Sequence, residues 1–370
     1  MESPPRPLPN PLPQAGEGAA QWRDVWIAYA SKGRESINDS LQLTMAQITL
    51  VEAVNLALHH EMARDANIVV LGQDVGRDGG VFRATLGLLD AFGPERVIDT
   101  PLAESLIAGM SIGMAAQGLK PVAEIQFAGF GYTVIDQILN HAGRLRHRTQ
   151  GRMSCPMVLR MPCGAGIHAP EHHSESPEAM FAHIPGIRVV YPSSPRRAYG
   201  LLLAAMRDPD PVLFLEPTRL YRLFKEDVAD NGEALALDQC ITLRDGADVT
   251  LVSWGAMVHE TLAAADALAA EGIVAEVIDV ATLKPLDSDT LLASVARTGR
   301  CVIVSEAART AGFAAEIAAQ LADDGLLTLR APVLRVTGYD TVVPLARLEP
   351  RYLPSVARIV SAVKQALTFS

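Results

Sequence analysis

The chain has 370 residues, of which 49% are hydrophobic and 20% charged, and carries a formal net charge of −10. That length exceeds one ordinary hydrophobic core and sets an expectation of two α/β domains. The acidity, with no local block of Lys and Arg to offset it, excludes a nucleic-acid partner, because nothing would neutralise a phosphate backbone.

In chain order, the opening stretch to Ala20 is rich in Pro and Gly and has almost nothing to bury. Residues 1–44 are therefore expected to be a disordered or polyproline-like tail. The stretch lacks an apolar signal core, and Glu2, Glu17 and Asp24 argue against a mitochondrial transit peptide. Regular patterning starts near Met45 (MAQITLVEAVNLAL), itself a candidate start codon. Residues 48–64 have helical spacing, and Ile68 to Leu71 reads as a strand ending in Gly72-Gln73-Asp74. Strands follow at residues 97–98, 121–127, 157–161, 188–191 and 212–215, with helices near 105–117, 131–148, 177–184 and 195–207. The apolar run Leu106 to Leu119 is only 14 residues long and is read as a buried helix, too short to span a bilayer.

A polar, turn-rich connection covers Thr218 to Ala247, and a second, smaller alternation then begins. It predicts strands at 249–253, 275–278, 301–305 and 333–336, and helices at 259–271, 287–298, 313–322 and 354–367. Cys155, Cys163, Cys240 and Cys301 are scattered without a CxxC pair, which fits buried thiols in a reducing, cytoplasmic setting. In an open parallel sheet the chemistry sits in the loops at the carboxyl ends of the strands, so those loops hold the candidates.

The segment Asp99-Thr100-Pro101-Leu102-Ala103-Glu104 reads as a helix start, with Thr100 as N-cap and Pro101 at the first helical position. Glu104 then lies in the first turn of a helix with no other charge through Gly118. Such a glutamate is either a residue favoured by the helix dipole or a carboxylate that holds a cationic or tautomerising ligand. Gly109 and Gly113 share a face and admit a close neighbour, from this domain or from another subunit. Farther on, His168, His172 and His173 precede a helix that Ser176 can cap at Pro177. Pro170 keeps His168 and His172 off one helical face, against a metalloprotease-type site. Surface histidines and a proton-transferring loop histidine both stay open. The run Glu124 to Tyr132 places Phe130 between two glycines, either as core or as a stacking surface for a flat heterocycle. There is no P-loop, no serine elbow and no GDG…N motif for a magnesium diphosphate.

Taken together, several segments resemble the β subunits of thiamin-diphosphate-dependent 2-oxo acid dehydrogenases of pyruvate and branched-chain type. They are LGQDVGRDGGVFRAT, VIDTPLAES, AEIQFAGF, HHSESPEA, LLLAAMRDPDPVLFLEP, TLVSWGAMVHETLAAA, EVIDVATLKPLD, SEAARTAGF and APVLRVTGYDT. The resemblance implies an α/β fold with a transketolase-like pyrimidine-binding domain over residues 45–235 and a transketolase C-terminal-like domain over 246–370. By the same resemblance, Glu104 bonds the aminopyrimidine ring nitrogen of thiamin diphosphate, Phe130 stacks on that ring, Gln126 lies beside it, and His173 is the active-site histidine. Met157, Ala205, Met206, Asp208 and Asp210 match a structural potassium site built mostly from backbone carbonyls. Asp136 matches an acidic residue between paired active sites, and Thr133 stands where some relatives carry glutamate.

The implied activity is oxidative decarboxylation of a 2-oxo acid with acyl transfer to a lipoyl group. An α subunit would bring the magnesium and diphosphate motif in an α2β2 assembly docked on a dihydrolipoyl acyltransferase. Branched-chain (2-oxoisovalerate) and acetoin dehydrogenases share the pattern, while the missing diphosphate motif excludes a self-contained transketolase. A non-catalytic nucleotide-binding or scaffold subunit is the alternative from another class. No membrane partner is expected.

Overall fold

The protein is described here by a computed structural model covering residues 45–369, so the expected tail lies outside the described residues. The chain starts with β1 (Met45–Ile48) and passes through β2 (Ile68–Gly72), β3 (Val97–Asp99), β4 (Lys120–Glu124), β5 (Val158–Cys163), β6 (Arg188–Val190) and β7 (Val212–Pro217). Strands β2 to β7 pair in parallel in the order 6-7-5-4-2-3. Every residue of β2 and β5 is buried, as expected of a parallel sheet with both faces covered. Three long helices accompany this sheet: α1 (Leu50–Arg64), α2 (Glu104–Ala116) and α3 (Pro195–Arg207). Helix α1 begins where the Glu52 carboxylate accepts the Thr49 N–H at 2.7 Å, half of a capping box. The buried Glu61 joins α1 to α3 through Arg207 at 2.6 Å.

The second half contributes β8 (Glu226–Ala229), β9 (Ile241–Arg244), β10 (Val249–Ser253), β11 (Ala275–Asp279), β12 (Thr282–Lys284), β13 (Cys301–Val304) and β14 (Leu334–Val336). Its sheet has the order 14-13-10-11-9, with only β9 antiparallel. Helices α4 (Met257–Ala269), α5 (Ser288–Thr298), α6 (Phe313–Gly325) and α7 (Val356–Leu367) cover it. Strand β12 leaves this sheet and pairs antiparallel with β6 at the edge of the first. Both buried clusters also draw on both halves: one joins Leu50 and Phe214 to Leu251 and Val304, the other joins Ile107 and Leu159 to Trp254 and Ile303. Among the described residues no helix is long and apolar enough to cross a membrane.

Several local expectations need correction. Residues 131–148 do not form one helix but a succession of short turns, including a π-helical one at Gln137–His141. Backbone crowding accounts for this, since a Cβ on Gly143 would lie 2.7 Å from the Pro185 carbonyl. Helix α2 begins at Glu104 with Ala103 as N-cap, not at Thr100. The Thr100 N–H continues the β2–β3 pairing by donating to the Gly72 carbonyl at 2.9 Å, and the chain then turns before the helix, with the Ala103 N–H on the Pro101 carbonyl at 2.9 Å. That helix is only half buried, with Leu106 47% exposed. The helix expected at Pro177 starts one residue later, at Glu178, and β4 ends at Glu124 because residues 126–130 turn out of the sheet. The connection at 218–247 holds β8 and β9, which pair with distant strands.

Beneath the carboxyl edge of the first sheet, Arg160 is fully buried. Its guanidinium donates to both oxygens of Glu216 at 2.6 and 2.9 Å and to Glu124 at 2.7 Å, and the Tyr221 hydroxyl also donates to Glu216. Burial strips Arg160 of solvent, yet the two carboxylates outweigh that loss and raise its pKa. Desolvation pushes the Glu124 carboxyl up, against the pull of Arg160. Arg160→Met should therefore destabilise the fold by about 3–5 kcal/mol, because two carboxylates lose their buried counter-ion. Denaturant unfolding measures this, and adding Glu124→Gln and Glu216→Gln should recover most of the loss. A loss that persists in the triple variant would mean that Arg160 acts by shape and not by charge.

Candidate active site

The candidates converge at the carboxyl ends of β3, β4 and β5, where an open parallel sheet places its chemistry. Glu104 follows β3 as the first residue of α2. It is half buried, and among the described residues nothing donates a hydrogen bond to its carboxylate. The adjacent Ser105 hydroxyl donates to the Thr133 carbonyl at 2.7 Å, and the Thr133 hydroxyl donates to the Phe130 carbonyl at 2.9 Å. These two bonds tie the start of α2 to the aromatic loop after β4. On that loop Gln126 reaches Asp74, from the loop after β2, at 3.4 Å.

His173 arrives from the loop after β5, in the short turn Glu171–His173. Its ring stands edge-on to Phe127 at 4.1 Å between centroids and to Phe130 at 5.6 Å, with His172 beside it at 4.2 Å. The Nδ1 atom of His173 is buried and has no hydrogen-bond partner. Desolvation, and then the neighbouring His172, lower its pKa, so the ring is neutral at pH 7. An unsatisfied buried nitrogen is costly unless a ligand or a transferred proton uses it. His172 is exposed and makes only a loose approach of 3.8 Å to Glu171. The Tyr132 hydroxyl donates to Glu175 at 2.9 Å, joining the two loops a second time.

These positions suit an aminopyrimidine ring: a partnerless carboxylate, an aromatic face and an orphaned imidazole nitrogen lie on adjoining loops. The structure thus brings together Glu104, Gln126, Phe130 and His173. It leaves Asp136 exposed, bonded to Asn140 at 2.7 Å. Phe127 was missed as a candidate, although it is the nearest ring to His173; the alternation in AEIQFAGF was its only local signal. The two readings of the glycine pair separate here. A Cβ on Gly109 would meet Gln137 at 3.3 Å, whereas one on Gly113 would meet nothing within 4 Å, so packing among the described residues does not require Gly113. Leu106, seven residues before Gly113 on the same face of α2, is 47% exposed, so that face stands open among the described residues.

Met157 lies at the opposite edge just before β5, with Ala205 and Met206 in the last turn of α3 and Asp208 and Asp210 between α3 and β7. Arg146 pairs with Asp210 at 2.7 Å and Arg188 with Asp208 at 3.4 Å. The Met157 carbonyl accepts from Val212, and that of Ala205 from Asp208. Both carboxylates are thus paired with arginines, so a monovalent cation here would draw on the backbone carbonyls, each of which keeps a second lone pair.

Gly129 fixes the contact between the two loops, because a Cβ there would sit 2.0 Å from the His172 carbonyl. Gly129→Ala should push the histidine turn off Phe127 and cost about 1–3 kcal/mol, as overpacking does. A changed His173 ring resonance together with lower thermal stability is the expected result. Wild-type values of both would mean that the loop yields freely.

Residues 46–223 match the family described as transketolase, pyrimidine binding domain, and residues 238–359 match transketolase, C-terminal domain. The chain is 47% identical over 325 residues to the pyruvate dehydrogenase E1 component subunit beta of Bacillus subtilis, covering 88% of this chain and all of that one. It is 46% identical to the corresponding subunit of Acholeplasma laidlawii, covering 87% of this chain and 98% of that one. A solved structure described as a split gene transketolase, inactive beta4 tetramer, superposes with a TM-score of 0.72 at 25% identity, over 88% of this chain and 99% of that one. With 46–47% identity over nearly the whole length of these relatives, the chain belongs to the family of pyruvate dehydrogenase E1 component β subunits.

Proposed function

We propose that this chain is the β subunit of a pyruvate dehydrogenase-type E1 component, that Glu104, Gln126 and Phe130 receive the pyrimidine end of thiamin diphosphate, and that His173 serves acyl transfer. The observation that carries this reading is the orphaned Nδ1 of His173, set against Phe127 and Phe130 on the same sheet edge as the partnerless Glu104. When bound, the cofactor supplies a nucleophilic carbon and an electron sink for decarboxylation of a 2-oxo acid.

The chain's own residues do the rest. Glu104, at the positive end of α2, holds a carboxylate against a ring nitrogen and favours its protonated form. Phe130 offers an apolar face that orients a flat ring and keeps water from it. His173, neutral and half buried, can accept a proton at Nδ1 or return one as an acyl group moves to a lipoyl sulfur.

The chain lacks a magnesium-diphosphate motif, and the related split transketolase chain is described as an inactive tetramer. Both support dependence on an α subunit in an α2β2 assembly, with the exposed Leu106–Gly113 face of α2 at a subunit contact and a dihydrolipoyl acyltransferase as acceptor. A cytoplasmic location fits this role. The β-subunit names of the relatives favour pyruvate over 2-oxoisovalerate, and reconstitution with α followed by assay of both acids tests that preference.

Glu104→Gln should leave assembly intact but slow turnover by about a hundredfold or more, because an amide cannot stabilise the protonated ring. His173→Ala should lower acyl transfer to lipoate by a similar factor with little change in cofactor affinity, and His172→Ala should matter less. Wild-type decarboxylation by an assembled Glu104→Gln enzyme, or a larger effect at His172, would refute these assignments.

A further inference from the structure

The loop that carries His173 leaves β5 at Cys163, and residues 164–170 belong to no helix or strand. Its backbone N–H groups must therefore find partners elsewhere. The Gly164 N–H donates to the Glu175 carbonyl at 2.8 Å, and three others find two carboxylates from the far half of the chain. The Ala165 N–H donates to Glu306, just past β13, at 3.0 Å. The Gly166 N–H donates to Oε1 of Glu349 at 2.7 Å, and the His168 N–H donates to Oε2 of the same residue at 3.2 Å. The His168 ring adds a contact from Nδ1 to that oxygen at 2.7 Å. Glu349 starts the short helix Glu349–Tyr352 and is only 1% exposed. It lies 183 residues from Gly166 in the chain.

Close approach on both sides closes the clamp. Gly164 has φ +88°, and a Cβ there would lie 2.7 Å from a Glu306 oxygen. Gly166 has φ +95°, and a Cβ there would lie 2.2 Å from the Arg219 side chain. Arg219 is itself held by Glu260 of α4 at 2.6 and 2.8 Å. A loop whose backbone is fitted this tightly at residues 164–168 has little freedom left by residue 173.

From these contacts we infer that Glu349, supported by Glu306, is a positioning residue: the second half of the chain holds the histidine loop in register with Phe127 and Phe130 through carboxylate-to-backbone hydrogen bonds. Glu349 does not touch the reacting atoms and acts through His173, so the inference rests on the proposed role of that histidine.

The test uses the assembled α–β complex loaded with thiamin diphosphate and magnesium, carrying Glu349→Ala, Glu349→Gln, His173→Ala, or His173→Ala with Glu349→Ala. Hydrogen exchange should show the amides of residues 165–173 losing protection in Glu349→Ala while those of β5 keep theirs. Reductive acylation of a lipoyl domain should fall by about tenfold or more, with KM for the 2-oxo acid and decarboxylation to an artificial oxidant each within about twofold. The double variant should be no slower than His173→Ala alone, because both changes remove the same function. Glu349→Gln keeps the shape and the acceptor for Gly166 but turns an amide towards His168, so it should lose part of the same activity. It decides the case if the alanine variant fails to assemble.

Unchanged exchange in the loop, an equal fall in both partial reactions, or losses that multiply in the double variant would overturn the inference. A His173→Ala enzyme with normal acyl transfer would instead refute the role given to the histidine. The exchange data would still report on the clamp.

Discussion

One buried guanidinium organises the site. Arg160 lies on β5 between Glu124 at the end of β4 and Glu216 on β7, so a single side chain joins the carboxyl ends of three neighbouring strands. The loop after β4 carries Gln126 and Phe130, the loop after β5 carries His173, and the turn after β7 carries Arg219 and Tyr221. Isolated, any of these charges would be prohibitive in a sheet interior. Paired, they hold the strand ends in one geometry, and the loops inherit it.

The second half of the chain extends that control. Strand β12 joins the edge of the first sheet, and Glu306 and Glu349 take up backbone groups that the histidine loop would otherwise leave unpaired. Near Glu306 lies a further acidic group: Glu178, buried and accepting from the Trp254 N–H, has its carboxyl pushed up to about 8 by desolvation. Burial raises the Glu306 carboxyl as well, against the pull of Arg219.

Much of this was legible in the sequence, for identifiable reasons. The run from Pro195 to Arg207 carries both its proline start and its apolar periodicity, and the helix occupies those residues. The Val- and Ile-rich runs became parallel strands because burial on both faces asks for little else. Glu104, Phe130 and His173 could each be singled out, but locally each had a bland reading as good as the functional one; the family resemblance favours the functional one, and the fold sets all three at one sheet edge. What stayed hidden depends on distant partners. The short strand β12 is decided by β6, nearly a hundred residues earlier in the chain, and the broken helix at 131–148 by Pro185 and Gly186 pressing on Gly143. Glu349 offers no local sign that it will meet Gly166, and nothing near Thr100 shows that the helix will start only at Glu104.

The central claim is that the chain supplies one end of a cofactor site and not the other. Calorimetric titration of thiamin diphosphate with magnesium tests it most directly, first on the isolated chain and then on the chain with its α partner. The diphosphate and its ion carry the cofactor's charges, and the chain has no motif to hold them, so binding to the isolated chain should be weak or undetectable. Addition of α should give tight, magnesium-dependent binding. Tight binding by the isolated chain would mean that the site is complete without a partner, and would contradict the account.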